Sequence, residues 1–292
     1  MDRDDILRRA APAPDEVLRY GDGAEQVADF WYPAGGADGA DGAAGGAAAP
    51  LIVFLHGGFW RAAYDRVHAR PLAVGLAGAG YAVVLPEYRR TGQAGGGWPG
   101  TFDDVALAVD VLPGLVPGVP GVPGAVVLGG HSAGGHLALW AAARAGLPSG
   151  SPWAVAAVAA VAGAVSGVVG LAAVSDLTGC ARQRLGRGAA QALMGGGPRR
   201  YPERYAVADP QRLLPMSVPV RLVHGADDGV VPSEMSVGFA REAAAAGGGA
   251  VRCDVLPGCG HFELIDPLSA AWPAVLEAFR AVAAPATPTP DA

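Results

Sequence analysis

The sequence predicts an α/β domain built on a mainly parallel central sheet with helices on both faces. Three observations predict it. Six short aliphatic runs recur along the chain, segments able to form helices lie between them, and polar residues set among glycines follow several of the runs. A chain of 292 residues is long enough to bury a sizeable core.

The elements follow in order. Residues 1–14 form an N-terminal segment; its start is charged and has no apolar run, so neither a signal peptide nor a membrane anchor is expected there. Residues 17–20 and 27–32 read as an antiparallel pair entering the sheet. The predicted parallel strands are 51–55, 81–85, 125–128, 167–172, 218–223 and 251–256; each is continuously apolar or β-branched, the pattern of strands buried on both faces. The predicted helices are 66–79, 102–112, 133–145, 233–246 and 270–282. Glycine (45) and proline (25) are abundant, but many fall in blocks near 34–50, 92–100, 113–124 and 246–250, which read as loops. A single domain over 15–282 results, with a Gly/Ala-rich loop at 34–50 and a frayed Pro/Thr tail at 283–292.

Composition excludes several roles. The chain has no lysine, its 21 basic residues are all arginine, and its net charge of -6 is not gathered in runs, so nucleic acid is not an expected partner. Three cysteines, Cys180, Cys253 and Cys259, form no CxxC pair and are odd in number, which fits a reducing compartment such as the cytoplasm. Residues 153–175 are uncharged over a length that could span a bilayer, but they are mostly Ala, Gly and Val with Leu171 the single leucine. They read as a helix end, a glycine-rich turn and a buried strand, and no membrane partner is expected.

Ligands of open parallel sheets gather beyond the carboxyl ends of the strands. There the sequence carries His56-Gly57-Gly58-Phe59-Trp60, then Gly130-His131-Ser132-Ala133-Gly134, then His224-Gly225-Ala226-Asp227-Asp228, then Gly258-Cys259-Gly260-His261. The second run matches G-x-S-x-G, in which flanking glycines let a strand turn sharply into a helix and leave a serine hydroxyl exposed. A serine needs a base to remove its proton. Among six histidines, His56 and His224 read as loop braces, His131 and His136 as packing or capping residues, and His68 as a surface residue on a helix. His261 alone lies beyond a plausible acid, in the chain order Ser, acid, His. Asp228 is the expected acid, with Asp227 as the alternative and Asp254, Asp266 and Glu263 weaker. Backbone donors for an oxyanion are expected at Ala133, Gly58 and Phe59. Cys253, Cys259 and His261 lack a fourth ligand at metal-binding spacing, so no metal or organic cofactor is required.

These motifs resemble those of α/β-hydrolases of the esterase/lipase type, and in detail the kynurenine formamidase-like (arylformamidase) branch. The resemblance covers about residues 15–282 and rests on His56 to Trp60, Glu87-Tyr88-Arg89, the GHSAGGHL run from Gly130 to Leu137, Asp176-Leu177 and Gly260-His261-Phe262. It implies triad roles for Ser132, Asp228 and His261, and a pocket lined by Trp60. Two segments depart from the family pattern, the Gly/Ala insertion at 34–49 and the Ala/Val stretch at 153–165. The expected activity is serine-dependent hydrolysis of a small carboxylic ester. Formamide hydrolysis of the N-formylkynurenine type is the alternative within the class, and a non-catalytic scaffold the alternative outside it. The expected partner is a small ester or formamide; a homodimer stays open.

Overall fold

The computed structural model describes residues 3–34, 49–116, 125–154, 165–247 and 250–283. Most of the Gly/Ala loop expected at 34–50, most of the Ala/Val stretch at 153–165 and the tail after 283 therefore lie outside the described residues.

Among the described residues, eight strands form one sheet: β1 (Glu16–Arg19), β2 (Val27–Trp31), β3 (Leu51–Leu55), β4 (Ala82–Pro86), β5 (Val126–His131), β6 (Val165–Leu171), β7 (Val220–Gly225) and β8 (Val251–Leu256). Their order across the sheet is β1-β2-β4-β3-β5-β6-β7-β8. β1 pairs antiparallel with β2, and β2 antiparallel with β4, as the sequence predicts for an entering hairpin; every later pairing is parallel. The central strands β3, β4 and β5 are buried along their whole length, because helices cover both faces.

One face is covered by α3 (Gly100–Leu115), α4 (Ala133–Ala142) and α8 (Glu234–Ala246), and the other by α2 (Arg70–Gly78) and α9 (Trp272–Ala283). α3 runs three residues past the expected Leu112 and contains Pro113. The first turn expected of the helix at 66–79 is a 3-10 turn over Arg66–Ala69, capped by the Asp65 carboxylate on the Val67 amide. At the chain start α1 (Arg3–Leu7) buries Ile6, and Arg9 bonds Asp266 at 2.8 Å, so the N-terminal segment is packed onto the domain.

The main departure lies between β6 and β7, where α5 (Leu177–Gln183), α6 (Leu185–Met194) and α7 (Pro202–Ala208) form an insertion for which the sequence reading has no helix. Asp209 anchors it, accepting bonds from the Leu177 amide (3.0 Å), the Thr178 amide (2.9 Å) and the Thr178 hydroxyl (2.6 Å). Among the described residues no helix is long and apolar enough to cross a membrane.

Candidate active site

Ser132 sits between the end of β5 and the start of α4 with φ 55° and ψ -117°, a conformation that β-carbon residues rarely adopt. Close packing around the turn forces the two flanking glycines. A β-carbon on Gly130 would lie 2.2 Å from the Gly134 carbonyl oxygen, and one on Gly134 would lie 2.0 Å from that of Leu55. Backbone bonds hold the strained residue: its amide donates to Leu171 O (2.8 Å), and its carbonyl accepts from Val174 and His136, each at 3.1 Å. G-x-S-x-G is thus a steric requirement of this corner, not a coincidence of composition.

His261 follows β8, and its Nδ1 lies 2.6 Å from Asp228 Oδ2. The other carboxylate oxygen of Asp228 accepts from the amides of Val230 (2.8 Å) and Val231 (2.9 Å), and Oδ2 also faces His224 Nε2 at 3.1 Å. Burial pushes this carboxyl up, but the bonds from His224 and His261, the charge of His261 and the Val231 amide outweigh it. The group is held well below the usual carboxylate range and is ionised at neutral pH. Asp227, the alternative, is exposed, and among the described residues only its backbone amide is engaged, by Cys259 O at 2.9 Å. The choice between the two acids falls to Asp228 because its side chain turns inward to two histidines.

Ser132 and His261 are buried to 2% and 5% exposure, and their side chains make no hydrogen bond with each other. The two loops are joined by His131: its Nε2 donates to the His261 carbonyl at 3.0 Å, and the two rings lie 4.5 Å apart between centroids. Burial, with the nearby His261, pushes His131 well below the usual histidine range, so its ring is neutral. His224 is likewise a positioning residue. Its Nε2 meets Asp228 and the Val231 carbonyl (2.9 Å) while Nδ1 meets the Ser236 hydroxyl at 2.7 Å.

The loop after β3 carries positive φ at Gly58 (111°), Phe59 (51°) and Trp60 (56°). Among the described residues the amides of Gly58, Phe59 and Ala133 have no intramolecular acceptor. His56 braces this loop: its Nδ1 faces the Gly57 carbonyl and its Nε2 faces Glu87 Oε1, both at 2.8 Å, while Tyr88 stacks on the ring at 4.4 Å and donates to the His56 carbonyl. Burial raises the Glu87 carboxyl, but His56, Arg90 and the Arg66 amide together bring it down to about 2. The Glu87-Tyr88 pair noted in the sequence is therefore the loop's support, a role that needs the fold to be seen.

Two expectations change. Trp60 has no exposed surface, so it does not line an open pocket; its ring lies edge-on to His136 at 5.2 Å and its indole donates to the Ala133 carbonyl at 3.2 Å, behind the serine turn. His68 is not a simple surface group: it packs edge-on to His56 at 5.7 Å, and burial, followed by His56, lowers it to about 4. His136 packs as expected, with Nε2 on the Ala208 carbonyl at 2.9 Å.

A mainly parallel sheet carrying a strained serine after β5, an acid after β7 and a histidine after β8 defines the α/β-hydrolase fold. Within that class the chain belongs to the BD-FAE family, whose model matches residues 42–242. It is 27% identical over 256 residues to the esterase LipC of Mycobacterium tuberculosis (strain ATCC 25618 / H37Rv) and 26% identical over 268 residues to the esterase LipQ of the same strain. These alignments take in 85% and 88% of this chain; it spans 59% of the length of each of these curated relatives. Among solved structures, esterase B from Lactobacillus rhamnosis (HN001) superposes with a TM-score of 0.73 at 20% identity, covering 96% of this chain and 90% of that one. A truncated carbohydrate esterase from gut microbiota gives 0.72 at 19% identity, covering 93% and 99%. At these identities the structural likeness establishes the fold.

Proposed function

We propose that the chain is a serine hydrolase that cleaves a small carboxylic ester through an acyl-enzyme. The observation that carries this reading is the 2.6 Å bond between Asp228 and His261, on the loops after β7 and β8, in a sheet whose β5 ends in a serine held at φ 55° on a glycine-flanked turn. Ser132 Oγ attacks the ester carbonyl while His261 Nε2 takes its proton; ionised Asp228 fixes the proton on Nδ1 and stabilises the imidazolium. The amides of Gly58, Phe59 and Ala133 stabilise the oxyanion, and the alcohol leaves with the proton from His261. Water then enters by the same route in reverse, and the acid is released. No metal or organic cofactor is needed for any step.

Ester hydrolysis is favoured over formamide hydrolysis because both curated relatives are named esterases. The formamidase alternative rests on the motifs His56 to Trp60 and Gly130 to Leu137. A cytoplasmic location is supported by the three cysteines, all unpaired. The test is hydrolysis of p-nitrophenyl acetate, butyrate and octanoate beside N-formylkynurenine, with the wild type and Ser132→Ala at matched concentration. Ester turnover abolished by the substitution is expected. Preference for N-formylkynurenine would move the assignment to formamide hydrolysis, and no turnover above the variant on any substrate would overturn it.

A further inference from the structure

The insertion between β6 and β7 also carries a cleft whose lining includes none of Ser132, Asp228 and His261. From Leu177 to Leu213 the sequence holds seven arginines against two carboxylates, Glu203 and Asp209, in a chain whose net charge is -6. Five of the seven, Arg182, Arg184, Arg199, Arg200 and Arg212, line one cleft of about 670 Å³ together with Gln191, and none of the described residues lining it is acidic. That volume suits a small molecule.

The guanidinium groups are largely uncommitted. Arg212 has Asp209 at 3.9 Å, and Arg200 lies over the Tyr201 ring at 5.2 Å from its centroid. Among the described residues, no hydrogen bond or ion pair engages the side chains of Arg182, Arg184 and Arg199. The five exposed guanidinium groups share, among the described residues, a single carboxylate within 4 Å, that of Asp209, and guanidinium groups present paired donors matched to carboxylate and phosphate oxygens. The Gln191 amide nitrogen is fixed on the Ala181 carbonyl at 2.6 Å, which holds α6 against α5 and so keeps Arg182 and Arg184 on the cleft wall.

We infer that this cleft binds a small multivalent oxyanion, a compound with two or more closely spaced phosphate or carboxylate groups, at a site separate from Ser132. One cation would suffice for a monoanion, whereas five line this space. Phosphate and carboxylate compounds share this recognition chemistry, and two probes separate them.

The experiment is calorimetric titration of the full chain with inorganic pyrophosphate and, in a second arm, with tricarballylate, both at constant ionic strength. Saturable binding to the wild type is expected, and the tighter probe identifies the group recognised. The double variant Arg182→Gln/Arg199→Gln is expected to weaken that binding tenfold or more with its thermal midpoint unchanged, since neither side chain has an internal partner. Arg241→Gln, an exposed arginine on α8, is expected to leave the Kd as it is. Absence of saturable binding for both probes would overturn the proposal, as would equal weakening in the Arg241 variant.

Discussion

Replacing Asp228 by asparagine separates the charge of the proposed triad acid from its shape. Oδ1 accepts two backbone amides at 2.8 and 2.9 Å, so the single oxygen of asparagine must occupy that place. The opposite orientation would leave two buried amides unpaired, at about 1–3 kcal/mol each. The new NH2 group then stands where Oδ2 stood, 2.6 Å from His261 Nδ1 and 3.1 Å from His224 Nε2. To accept from it, His261 must move its proton from Nδ1 to Nε2, the tautomer that cannot take a proton from Ser132. In another serine hydrolase this change of tautomer lowers kcat about 10⁴-fold, which corresponds to about 5.4 kcal/mol of activation free energy, and the same loss is expected here. The assay is kcat on p-nitrophenyl butyrate at neutral pH, with the thermal midpoint measured alongside and Asp227→Asn as the exposed control. A folded Asp228→Asn protein with kcat within tenfold of wild type would refute the assignment of this carboxylate.

Other consequences follow from the same geometry. Gly134→Ala places a β-carbon 2.0 Å from the Leu55 carbonyl oxygen and 2.4 Å from that of His56, so a loss of about 4 kcal/mol or more is expected, read as a collapse of the thermal midpoint or of soluble yield. Ser132→Gly and Ser132→Ala both remove the hydroxyl, but only glycine relieves the left-handed backbone; the glycine variant should be the more stable by about 1 kcal/mol in urea unfolding. His136 is lowered to about 4 by burial, offset in part by its bond to Ala208. The unfolded chain therefore binds a proton that the folded one does not between about pH 6.5 and 4. The stability linked to this group is present above that window and lost as pH falls through it. Urea midpoints at pH 7, 5.5 and 4.5 should fall less steeply in His136→Gln than in wild type; parallel slopes would contradict this.

The parallel strands were legible because burial on both faces writes itself as continuous aliphatic runs, as in Leu51 to Leu55. β5 extends beyond its predicted end because Gly129, Gly130 and His131 are poor strand formers that the β3 and β6 neighbours hold in the ladder. The insertion was illegible for a related reason. α5 and α7 have seven residues each, too few for a periodicity, and α6 is interrupted by left-handed residues at Gly186, Arg187 and Gly188. At the site, the order of Ser132, Asp228 and His261 along the chain was readable from strand-end motifs. What the motifs withheld was side-chain direction: that Trp60 faces the core, and that His131, His224 and the His56–Glu87 pair support the groups expected to react.

The central claim is that Ser132 carries the acyl group, and the most direct test is to trap it. Wild-type protein mixed with p-nitrophenyl butyrate, quenched in acid within the first turnover and digested, should yield a butyryl adduct on the peptide containing Ser132 and on no other, with none in Ser132→Ala. Sustained ester turnover with no adduct, or with the adduct on a different residue, would contradict the account.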